Sequence, residues 1–250
     1  KLSTPKDSLL KYNINISNKN RAGLGLLFLD DYLSNNIVNS TIQDFYNSNK
    51  TKDIVSDSFL KLVKSRTNKN IDWFYSDYIN SNKKIDYKIL NVKEKGKLLE
   101  VTIKNKKESE IPISIYQISN NKVIKKTYTE GFKGVKKVLL ENHKPERVIL
   151  NYEKTIPEYN LRNNSKKNKP HLINKPLKFS FIKDAEASNH NQIFYVPELG
   201  YNFYDGISPG ITISNKTLLG KNFTYKIKPI YGLKSNSLVG SLSTNYTKFY

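Results

Sequence analysis

Between Lys83 and Ile85 the spacing of apolar residues changes from three and four to two, and no single element accommodates both periods. Upstream, Leu24, Leu27 and Phe28, widened by Leu26 and Leu29, predict a buried helix over residues 20–33. Val38, Ile42, Phe45 and Tyr46 predict an amphipathic helix over 37–46. Ser56 as an N-cap, with Asp57 in the first turn, opens a third helix carrying Phe59, Leu60 and Val63. A fourth, over 71–80, places Ile71, Phe74, Tyr75 and Tyr78 on one inward face. Gly23 and Gly25 weaken the first helix unless a backbone packs closely against them.

Downstream the pattern is that of strands. Leu99, Val101 and Ile103 alternate with Glu100, Thr102 and Lys104, and Ile111, Ile113 and Ile115 form a second half-buried row. Further strands fit 85–92, 123–128, 135–140 and 148–152, with turns at Lys95-Gly96, Asn120-Asn121 and Lys133-Gly134. About seven short strands so spaced predict a small antiparallel sandwich. Pro157, Pro170 and Pro176, among many Asn and Lys residues, mark a linker. Beyond it the strands at 192–204, 210–214, 223–230 and 238–250 are more aromatic, with Tyr201, Phe203, Tyr204, Tyr246, Phe249 and Tyr250 toward their ends. Aromatic ends on alternating strands of ~10 residues are a pattern of outer-membrane barrels. The expected fold class is multi-domain α+β: a helical subdomain (1–83), an antiparallel β-sandwich (84–153), a linker (154–176) and an antiparallel β region resembling the start of an outer-membrane barrel (177–250).

Composition narrows the chemistry. With no cysteine, a disulfide scaffold, a Cys-ligated zinc site and thiol catalysis are all excluded. The net charge of +20 raises the question of a polyanionic partner, but the lysines are spread over every segment. Their densest groups, Lys104–Lys107 and Lys166–Lys169, fall in a turn and the linker, so a solvated surface and no nucleic-acid partner are expected. No apolar run approaches the ~18 residues of a membrane-spanning helix, which leaves a strand barrel open. Lacking methionine and starting at Lys1 in mid-pattern, the chain is expected to be a fragment or a processed piece.

Candidate catalytic groups are sparse. His143, His171 and His190 lie far apart, none is followed by Glu, and each is expected on the surface rather than on a metal. The acids Asp30 and Asp31 on the first helix, and Asp184 with Glu186 in a loop, are expected to be solvated partners of lysines. There is no Gly-x-Ser-x-Gly elbow and no P-loop, and Gly23-Leu24-Gly25 suits close packing better than a phosphate. No catalytic, cofactor-binding or metal-ligating residue is assigned.

The order of local motifs carries a resemblance. A glycine-containing apolar helix, Ala22 to Leu29, is followed by Asp31-Tyr32-Leu33, a helix ending at Phe45-Tyr46, an Asp57-x-Phe59 helix start, and then Trp73-Phe74-Tyr75-Ser76-Asp77-Tyr78-Ile79, which holds the only tryptophan. This order resembles the stretch that follows the zinc helices in gluzincin zinc aminopeptidases, the family of aminopeptidase N and leukotriene hydrolase. Pro157-Glu158-Tyr159-Asn160, Arg162-Asn163-Asn164 and the segment Tyr201 to Gly206 resemble the C-terminal part of large aminopeptidase-like proteins of Bacteroidetes-type bacteria.

The resemblance implies a non-catalytic C-terminal part of a peptidase-like protein in a Gram-negative cell envelope. It places zinc and peptide substrate with the full-length protein, outer-membrane lipid beside the last region, and no cofactor in these residues. The His-Glu-x-x-His motif is absent here. Where the family carries a Tyr-x-Lys-Gly motif, this chain reads Lys19-Asn20-Arg21-Ala22-Gly23, and Tyr12 is not given that role. The rival readings are a structural or adhesive outer-membrane protein, a pseudo-peptidase, and a polyanion binder. Oligomeric state is not legible.

Overall fold

The computed structural model describes residues 1–14, 20–34, 36–50, 58–169, 174–182, 186–217 and 220–248. The fold is multi-domain α+β, with two compact units, Lys1–His171 and Leu172–Tyr250.

The first unit opens with α1 (Lys11–Ile14), α2 (Ala22–Leu33), α3 (Ile37–Ser48), α4 (Ser58–Lys64) and a π-helical turn over Phe74–Ile79. The expected cap, Ser56 with Asp57, lies outside the described residues. On α2 the buried stripe is Gly25, Phe28, Leu29, Tyr32 and Leu33. Leu27, expected inward, is 61% exposed, because a glycine rather than Leu24 opens the stripe. Helix α3 buries Val38 and Thr41 but leaves Ile42 and Tyr46 exposed, so only part of its expected face is covered. In the π-helical turn the inward residues are Trp73, Phe74, Asp77 and Tyr78, and Tyr75 faces outward. Ile71, Phe74 and Tyr78 are buried as expected, and in the wider turn, closed by Asn80 N–H donating to the Tyr75 carbonyl at 3.0 Å, Trp73 and Asp77 join them in place of Tyr75.

Seven strands follow: β1 (Tyr87–Lys95), β2 (Leu98–Asn105), β3 (Ile113–Ser119), β4 (Lys122–Thr129), β5 (Val135–Glu141), β6 (Arg147–Leu150) and β7 (Ser165–Lys167). They form two antiparallel, sandwich-like sheets, β1-β2-β5 and β4-β3-β6-β7. Alternation decides the inner faces, as in Leu99, Val101 and Ile103 of β2, all fully buried. These side chains belong to the same core as Phe28, Leu29, Trp73 and Tyr78, so helices and sheets are packed around one apolar interior. The start of the expected linker is built into this unit. Ile156 enters the core, and β7 pairs with β6, where the Asn164 amide donates to the buried Leu150 carbonyl.

The second unit is a five-stranded sheet in the order β12-β11-β10-β9-β8: β8 (Leu177–Phe181), β9 (Asn191–Asn202), β10 (Gly206–Ser214), β11 (Phe223–Gly232) and β12 (Ser237–Tyr246). Strands β9 to β12 pair antiparallel as expected. By contrast β8 runs parallel to β9, and Asn191 N–H bonds the Pro176 carbonyl at 2.8 Å. Among the described residues the sheet is open, with β8 and β12 at its edges, and forms no closed barrel. Phe249 and Tyr250 lie outside the described residues.

Candidate functional site

The described histidines each sit in a turn region. His143 follows β5, 3.4 Å from Glu141; His190 occupies the turn before β9; His171 lies outside the described residues, as does Asp184. Among the described residues no group of three or more His, Asp or Glu side chains is arranged as for a metal ion.

What the fold does assemble is a polar cluster between α2 and β4. Asp31, on α2, receives hydrogen bonds from the Lys126 ammonium and from the Tyr128 hydroxyl, the latter at 2.5 Å. The same ammonium reaches Glu153 at 3.2 Å and lies over the Tyr116 ring, 5.3 Å from its centroid. Lys126 and Tyr128 alternate on β4 and therefore share a face, while the α2 stripe that buries Tyr32 carries its neighbour Asp31 toward them. A cleft of about 420 Å³ opens beside the cluster, lined also by Tyr32, Lys69 and Glu130. Asp31, expected as a solvated acid, finds its partners 95 and 97 residues away, beyond any local motif.

The electrostatics define what this cluster can do. Burial would ease the proton off Lys126, but its hydrogen bonds to Asp31 and Tyr116 outweigh it and hold the ammonium well above its ordinary value. Burial, then the Asp31 carboxylate, raises the Tyr128 hydroxyl far above the usual phenol range. Both groups therefore keep their protons at neutral pH. The cluster is a charged strut joining a helix to a sheet.

A second polar cluster centres on the half-buried Glu158, in the stretch after β6. Its carboxylate accepts hydrogen bonds from Tyr87 N–H (3.0 Å), the Asn164 amide (2.7 Å) and the Asn151 amide (3.1 Å). Burial pushes its pKa up to about 7 against the pull of those donors, and the buried Asp86 close by adds to the rise. Asp86 itself is held by Lys106 (3.3 Å) and by the Asn163 amide (3.1 Å). Pro157-Glu158-Tyr159-Asn160 and Arg162-Asn163-Asn164, which read as linker, thus supply the polar seam of the sandwich. The two lysine-dense groups are also engaged: Lys107 lies over the Tyr159 ring, and Lys166 donates to the Leu90 carbonyl.

Asp77, on the π-helical turn, ties that turn to the sheet. It accepts hydrogen bonds from Lys83 Nζ and from Glu110 N–H, both at 2.8 Å. Burial alone would raise its carboxyl, but these donors prevail and hold it below the ordinary carboxylate range. The ends of β1, β5, β6 and β7 also enclose a cleft of about 510 Å³, lined by Glu94, Glu146, Arg147 and Lys167 among others; its mixed charges converge on no single point.

No protein-family model matches the chain, and no curated protein matches it. Among solved structures, Legionella pneumophila aminopeptidase A in complex with aspartic acid is similar, with a TM-score of 0.45 and 13% identity. The match covers 57% of this chain, which spans only 17% of that protein.

Proposed function

We propose that the chain is the non-catalytic C-terminal part of a zinc metallo-aminopeptidase-like protein of a Gram-negative cell envelope. In it, the helical subdomain closes a peptidase-like domain and the sandwich buttresses it. One observation carries the reading: the helices bearing the motif order, from Ala22 to Ile79, share a single core with the sheets and are fastened to them through Asp31 and Asp77. Zinc, the water-activating glutamate and the peptide subsites belong, on this reading, to the full-length protein.

Two measurements test it. The 250-residue chain, supplied with zinc, should leave aminoacyl anilides intact, and turnover would overturn the non-catalytic assignment. The natural reading frame should encode His-Glu-x-x-His upstream of residue 1, and a frame without it overturns the peptidase assignment. The missing tyrosine in Lys19-Asn20-Arg21-Ala22-Gly23 favours a second reading, a pseudo-peptidase or envelope scaffold that keeps the fold without the chemistry.

A further inference from the structure

Tyr32 is the buried polar group that the charged strut leaves unused. It is 4% exposed, and its ring stands edge-on to Trp73 and to Tyr128, with centroids 5.7 and 5.3 Å apart. Its backbone carbonyl accepts a hydrogen bond from Lys69, but among the described residues its hydroxyl has no partner. Buried hydroxyls are paired as a rule, so an unpaired one calls for a reason. Burial, and after it the Glu130 carboxylate, raise this phenol above its ordinary value, which sets Glu130 near the hydroxyl. The Glu130 side chain is exposed and forms no ion pair among the described residues, although the chain holds 42 Lys and Arg against 22 Asp and Glu.

Both residues border a cleft of about 190 Å³, whose walls also carry Trp73, Pro112 and Glu110. Gly131 allows the two acids to share it. A Cβ at that position would collide with the Glu110 carbonyl, so a glycine is needed for the chain after β4 to close on the segment before β3. Among the described residues no lysine or arginine lines this cleft. Lys69 and Lys126 line the larger cleft beside it, where they are engaged by the Tyr32 carbonyl and by Asp31. Glu110 has Lys133 at 3.1 Å, but that lysine side chain is 80% exposed, and such a pair is weakly held. In a chain of net charge +20, the small cleft is thus a local concentration of negative charge with apolar walls. Its volume suits one side chain and falls short of a drug-sized ligand.

We infer that this cleft binds the cationic end of a basic peptide side chain, a lysine ammonium or an arginine guanidinium. Glu130 and the Tyr32 hydroxyl accept its N–H donors, and Trp73 and Pro112 flank its aliphatic stem. An anion is disfavoured by the two carboxylates, and an apolar group would leave the Tyr32 hydroxyl and the Glu130 carboxylate unpaired. A divalent metal ion would find no third carboxylate or imidazole among the described residues. The inference rests on neither the peptidase nor the cell-envelope part of the proposed function, since it concerns binding alone.

Trp73 is the only tryptophan of the 250-residue chain and lines the cleft, so its fluorescence reports occupancy. The chain is titrated with Nα-acetyl-lysine amide and Nα-acetyl-arginine amide, and with their neutral counterparts, Nα-acetyl-norleucine amide and Nα-acetyl-citrulline amide. At least one cationic probe should give a saturable change and bind about tenfold or more tightly than its neutral counterpart, as expected for one charge-assisted hydrogen bond. The stronger of the two identifies the cation. Glu130→Gln, at an exposed position, should weaken that probe about tenfold, and Tyr32→Phe, which keeps the ring, should weaken it severalfold. No saturable change with either cation overturns the inference, as does equal binding of the neutral counterparts. Saturation that survives both substitutions unchanged puts the cation at another place and overturns it as well.

Discussion

Tyr78 occupies the space that a side chain on Gly25 would need: a Cβ there would lie 2.3 Å from Cε1 of the Tyr78 ring. The ring is stacked on Phe74 with centroids 5.5 Å apart, and its hydroxyl donates to the Arg21 carbonyl at 2.7 Å, so it has nowhere to retreat. Gly25→Ala should therefore destabilise the first unit by about 1–3 kcal/mol despite the better helix propensity of alanine. Gly23, where a Cβ meets nothing within 4 Å, is the control, and Gly23→Ala should be neutral or stabilising in urea denaturation.

Asp31 and Lys126 should show strong coupling. Asp31→Ala leaves a partly buried ammonium with Glu153 as its remaining carboxylate and frees the Tyr128 hydroxyl, at an expected cost of about 1–3 kcal/mol. In a double-mutant cycle with Lys126→Met, the second change should cost less in the Asp31→Ala background than in wild type. Additive losses, measured by denaturant midpoints, would mean that the strut contributes nothing as a pair.

Glu158 sets a pH dependence of unusual sign for a carboxylate. Its folded pKa, about 7, exceeds the ~4.3 of an unfolded chain, so the folded state binds the proton more tightly. The associated stability is complete below the unfolded value and is lost as pH rises toward 7, amounting to up to about 3 kcal/mol. Glu158→Gln should flatten the fall between those limits in a pH series of urea midpoints. An unchanged slope would place the cause elsewhere.

Asp77 works in the opposite direction and in a separate window. Its pKa is lowered on folding, so its contribution is present above the unfolded carboxylate value and disappears as pH falls through the folded one. Asp77→Asn should remove that acid limb and weaken the hold on Lys83, while the amide oxygen keeps the Glu110 N–H satisfied. Asp77→Ala should be worse by about 1–2 kcal/mol, because a part-buried backbone donor then loses its partner.

Period and spacing made the elements legible, and long-range pairing made the polar sites illegible. The alternation of Leu99, Val101 and Ile103 named both the strand and its buried face, since a one-residue slip would reverse every side chain. For α2 the same logic found the helix but misplaced Leu27, because the stripe is led by a glycine that no hydrophobicity pattern counts. The seam around Glu158 brings together Tyr87, Asn151 and Asn164, with Tyr87 standing 71 positions away. A run rich in Pro, Asn and Lys carries the same composition whether it floats in solvent or satisfies buried backbone, and only the pairing of β7 with β6 distinguishes the two. Likewise nothing local to Leu177–Phe181 distinguishes parallel from antiparallel pairing.

The apolar interior shared by the helices and the sandwich bears on how such a module can be inherited. Phe28, Trp73 and Tyr78 cover strand residues that would otherwise meet water, so a sandwich cut free at residue 84 would expose its own interior. The change of period at that point marks a change of secondary structure and not a seam at which folding can be divided. Recombination or proteolysis there should yield two insoluble halves, and the pair should pass from one protein to another only as a whole.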